Sequence, residues 1–124
     1  MNDFFWNSSI DSATVEIYIP KGIGPFPTII IFDTGLIKNT RTYATFYAEK
    51  MKEIGFSVFI VKLNLDKKIE IGTIIEYILN QKEVNSNKVY LIEIERNNLI
   101  DLNIELYKNY FQGITSINFF NLNN

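Results

Sequence analysis

Apolar and polar residues alternate strictly from Ala13 to Ile19, with Val15, Ile17 and Ile19 set against Thr14, Glu16 and Tyr18. A period of two predicts a strand with one face in the core and one in water. All three prolines then arrive within Pro20-Lys21-Gly22-Ile23-Gly24-Pro25-Phe26-Pro27. Proline fixes φ and donates no hydrogen bond, so this stretch is a loop. The run Thr28-Ile29-Ile30-Ile31-Phe32 has no polar interruption after its first residue. Such a run suits a central strand covered on both faces, as in a parallel sheet.

The period changes between Thr42 and Ile54, where Tyr43, Tyr47, Met51 and Ile54 form one helical stripe with Ala44 and Ala48 beside it. Thr40 or Thr42 can cap the start, and Gly55 fits the position just past the end. Phe56 to Leu63 is a second buried strand. Asp66 can cap a helix running to about Gln81, in which Ile71, Ile74, Ile75, Ile78 and Leu79 recur at helical spacing. Val84 to Asn87 is polar turn material, and Lys88 to Ile94 is a third buried strand. Ile100 to Leu106 alternates as a strand would, yet Asp101, Glu105 and Lys108 also form a polar helical stripe. A parallel sheet needs a crossover at this point, which selects the helix. Gly113 to Phe120 completes the series as a strand.

The elements follow the pattern β-β-α-β-α-β-α-β with short links. The predicted fold is therefore α/β, a three-layer sandwich around a five-stranded, mostly parallel sheet in one domain spanning residues 1–124. Numbered by sequence, the strands are expected in the order 1-3-2-4-5, strand 1 antiparallel at an edge and each crossover right-handed. The aromatics Phe4, Phe5 and Trp6 precede the first strand and are expected to pack onto the sheet.

Composition then narrows the chemistry. The 124 residues contain no cysteine and no histidine. A disulfide framework, a thiolate or imidazole metal site and any histidine-based catalytic set are thus excluded within these residues. Twelve basic residues stand against 14 acidic ones, a net charge of −2, which leaves no electrostatic footprint for nucleic acid. The first residues are acidic rather than basic, unlike a secretory signal, and the longest apolar runs are strand-length, too short to cross a bilayer. A soluble, cytoplasmic protein is expected.

The stretch Ala13 to Gly22, followed by Gly24-Pro25-Phe26-Pro27 and Thr28 to Phe32, resembles the opening of an α/β-hydrolase of the dienelactone hydrolase-like kind. Tyr47 to Val58 is similar to that family's helix and following strand entry, and Ile78 to Val89 to the helix and turn before its nucleophile strand. The resemblance covers residues 12 to 119 and implies the N-terminal part of a hydrolase core, ending before the family's last strands. In that family the nucleophile sits in a G-x-S-x-G elbow, with cysteine in dienelactone hydrolases themselves. The corresponding residues here are Glu93-Ile94-Glu95-Arg96-Asn97. Glu95 thus stands at the nucleophile position, with Glu93 and Asn97 in place of the glycines, a substitution expected to relax the turn. The family's oxyanion-loop His-Gly is replaced by Asp33-Thr34, leaving Gly35. The resemblance therefore implies a degenerate active site without a catalytic residue.

Two other constellations arise from the residues. Asp33-Thr34-Gly35 after an apolar strand is also the spelling of an aspartic protease motif, in which two copies would share one proton. Two helical periods between Thr42 and Gln81 oppose that nearly all-β fold. Alternatively, Asp33, Glu93 and Glu95 fall at the carboxyl ends of adjacent strands and can be read as a site for Mg²⁺ or another hard cation. A haloacid dehalogenase-type phosphatase would need a second aspartate where Gly35 stands, and acidic strand ends are common as solvated loops. No other cofactor is implied. The expectation is a non-catalytic protein of hydrolase ancestry that binds an unknown protein partner or small ligand, or self-associates through the edge strand. The alternative is a hydrolase, metal-assisted through the three carboxylates, or acting on esters or lactones with another chain completing it.

Overall fold

The computed structural model of the protein describes residues 4–10, 13–33, 40–63, 71–95 and 104–117. Six strands and two helices follow one another as β1 (Phe4–Ile10), β2 (Ala13–Ile19), β3 (Phe26–Asp33), α1 (Thr40–Glu53), β4 (Ser57–Leu63), α2 (Ile71–Leu79), β5 (Val84–Ile94) and β6 (Gly113–Ile117). Residues 104–107 are helical and continue into a 3₁₀ turn at Lys108–Tyr110, which answers the strand-or-helix ambiguity as helix over the described part. The sheet order is β1-β2-β4-β3-β5-β6. Counted from Ala13–Ile19, the five expected strands therefore stand in the expected order. β4, β3, β5 and β6 are parallel, and β2 runs antiparallel to β4.

Three features differ from the sequence expectation. A sixth strand, β1, pairs antiparallel with β2 from Phe4↔Ile19 to Ile10↔Ala13, so β2 is interior rather than at the edge. The Thr14-Glu16-Tyr18 face of β2 is not wet, since Glu16 and Tyr18 are both buried. It lies under α1, and the Tyr18 hydroxyl reaches Glu16 Oε1 at 3.5 Å. Burial raises the Tyr18 pKa, with Thr45 opposing as a hydrogen-bond partner and the Glu49 charge adding to the rise. Finally, Val84–Asn87 belongs to β5 rather than to a turn. Val84 pairs with Phe26 and Val89 with Thr28, and the mismatch in spacing is taken up by an irregularity between Phe26 and Thr28.

The run at β3 is buried on both faces, as its composition demands. Ile30 and Phe32 point into the larger core layer with Phe59, Val61, Leu91 and the α2 residues Ile71, Ile74, Ile75 and Ile78. Ile29 and Ile31 point the other way, to Val58, Ile60 and the α1 residues Ala44 and Ala48. The stripe of α1 is thus centred on the two alanines, with Tyr43 and Ile54 exposed at its margins. Small residues four apart let the helix axis approach the sheet closely, and the larger side chains splay to the sides. Gly55 ends α1 at φ 106°, with its N–H donating to Lys52 C=O and that of Phe56 to Met51 C=O. This is a Schellman motif, in which glycine takes the left-handed position without a Cβ penalty. On the opposite helix, Gly72 leaves room for Tyr107, whose hydroxyl donates to Glu76 Oε2 at 3.2 Å.

A buried polar pair joins the starts of the two central strands. Thr28 Oγ1 lies 2.6 Å from Ser57 Oγ and donates to Phe26 C=O at 2.9 Å, so the Ser57 hydroxyl is the donor between them. Each residue is fully buried, so removing Thr28 leaves the Ser57 donor without this acceptor, whereas removing Ser57 leaves Thr28 its bond to Phe26 C=O. Ser57→Ala is expected to cost about 1 kcal/mol and Thr28→Val about 2 kcal/mol. The double variant should cost less than the two singles together, because no orphaned hydroxyl remains. Urea unfolding midpoints check this; strict additivity would show that the pair is not coupled.

Candidate functional site at the carboxyl ends of the parallel strands

β3 and β5 end side by side, and their register decides where each acidic side chain goes. Asp33 is opposite Ile94, and Phe32 is opposite Glu93. Paired residues on neighbouring strands share a face, and successive residues alternate. Asp33 therefore lies on the α1 side with Ile29, Ile31 and Ile94. Glu93 lies on the α2 side with Phe32 and Leu91. The two carboxylates are 3% and 2% exposed, on opposite sides of the sheet. Lys62 of β4 is in register with Asp33 and places a cation on the same side. Glu93 Oε1 accepts a hydrogen bond from Ser116 Oγ of β6 at 3.0 Å. Among the described residues, no three carboxylates come together closely enough to hold a metal ion. Of the three residues read from the sequence as one cation site, Asp33 and Glu93 are thus divided by the sheet itself.

Glu95 follows the last residue of β5 at φ 61°, a positive φ that no other non-glycine residue among those described adopts. The expected relaxation of the turn is not found at this position. The residue is 6% exposed, and its N–H donates to Ile117 C=O at 2.7 Å, which extends the tie between β5 and β6 past the end of the strand. A side chain in the left-handed region costs roughly 1–2 kcal/mol. That hydrogen bond and the burial hold the residue there. Glu93 meets no obstacle as a glycine replacement, since its side chain is taken up between β5 and β6 beside Ser116. Thr34, Gly35, Arg96 and Asn97 lie outside the described residues, as do Asp66, Asp101 and residues 118–124.

A shallow apolar groove that sequence reasoning missed runs along the α1 side of β5 and β6. It encloses about 250 Å³ between Tyr47, Met51, Phe56, Tyr90, Ile92 and Thr115. Phe56 and Tyr90 meet edge to face, with centroids 6.2 Å apart at 70°. Burial and the neighbouring Tyr43 raise the Tyr47 pKa. Each residue looks like ordinary core in the sequence. Only the sheet order shows that α1 packs over β2, β4 and β3, and that among the described residues no helix packs over the β5–β6 half of that face.

A mixed sheet of this order, covered by helices on both sides and with a positive-φ residue after β5, defines an α/β-hydrolase fold, in the dienelactone hydrolase-like arrangement. Solved structures bear this out. The chain matches a hypothetical protein from Pseudomonas aeruginosa with a TM-score of 0.68 at 17% identity, covering 93% of this chain and 42% of that one. It matches Est1E from Butyrivibrio proteoclasticus with a TM-score of 0.64 at 12% identity, covering 92% and 49%. Dienelactone hydrolase from Anabaena variabilis gives 0.61 at 13% identity, covering 94% and 63%. The chain thus spans about half the length of the structures it resembles. No protein-family profile matches the chain, and no curated protein matches it in sequence. The aspartic protease reading of Asp33-Thr34-Gly35 is removed, because Asp33 ends an interior parallel strand of this fold. Among the described residues, no helix is long and apolar enough to cross a membrane.

The left-handed backbone at Glu95 can be separated from the contribution of its side chain. Glu95→Ala removes the carboxylate and keeps a Cβ at positive φ, whereas Glu95→Gly removes both. The glycine variant should be more stable than the alanine variant by about 1 kcal/mol. Chemical denaturation of the two proteins side by side measures the difference, and an alanine variant of equal or greater stability would remove the strained elbow.

Proposed function

We propose that this is a non-catalytic protein of hydrolase ancestry that works by binding rather than by turnover. The observation that carries the reading is Glu95, a buried carboxylate on the positive-φ residue where the fold presents its nucleophile. A carboxylate is a poor substitute for a hydroxyl or thiol in acyl transfer. Its attack on an ester gives a tetrahedral adduct that expels the carboxylate again in preference to the far more basic alkoxide. The 124 residues also supply no histidine to act as general base. The names of two similar structures, an unspecified Est1E and a dienelactone hydrolase, support the ancestry and not an activity. Metal-assisted hydrolysis is the weaker reading, because Asp33 and Glu93 face opposite sides of the sheet.

A screen against p-nitrophenyl esters, with and without Mg²⁺ or Mn²⁺, tests the proposal. No turnover above the buffer rate is expected in either condition. Turnover that Glu95→Ala abolishes would overturn it in favour of an active ester hydrolase. A metal-dependent thermal shift that disappears in Asp33→Asn would overturn it in favour of metal-assisted chemistry.

A further inference from the structure

We draw no further inference here: the strongest candidate, the exposed stripe of Tyr43, Phe46 and Ile54 along the outward side of α1, is an unpartnered apolar face, and nothing in the structure shows what covers it.

Discussion

Residues 29–32 are apolar on both sides of the strand, and a strand of that kind can be stable only between two covering layers. This constraint organises the molecule. β3 takes the middle of the sheet, β4 and β5 flank it in parallel, and parallel neighbours require crossovers long enough to hold a helix. Those crossovers supply α1 on one side and α2 on the other. The buried Thr28–Ser57 pair then ties the beginnings of β3 and β4, at the end of the sheet away from the acidic residues.

The same arrangement brings the carboxyl ends of β3 and β5 together and yet divides their chemistry. A sheet is a partition as well as a scaffold. Asp33 and Glu93 are one step out of register, which puts them on opposite faces although their strands touch. Glu95 is beyond the last paired residue of β5 and turns through the left-handed region, held by Ile117 of β6. A sharp positive-φ turn thus follows β5 at a glutamate. Its backbone geometry is held by the hydrogen bond from Glu95 to Ile117 of the neighbouring strand.

Several elements were legible before any coordinates. The alternation at Ala13–Ile19, the run at Thr28–Phe32, the isoleucine stripe of α2 and Gly55 after α1 each state a local rule that tertiary packing does not contradict. Others were not. The strand at Phe4–Ile10 carries Asn7-Ser8-Ser9, whose preference for turns is overridden by pairing with β2. The α1 stripe was read around its large residues, Tyr43, Tyr47, Met51 and Ile54, whereas close approach to the sheet favours Ala44 and Ala48. Glu16 looked solvent-facing because alternation says which residues share a face, and cannot say what will cover it.

The absence of histidine and cysteine, the carboxylate at position 95 and the succession of strands and helices are properties of the sequence by itself. They follow from residue identity and from periods of two and 3.6 that local sterics impose. Tertiary structure alone decided that Asp33 and Glu93 are separated, that Glu95 keeps a positive φ, and that an apolar groove forms between α1, β5 and β6 among the described residues. Each of these depends on register between strands distant in sequence or on which part of a face a helix covers. Local pattern carries no information about either.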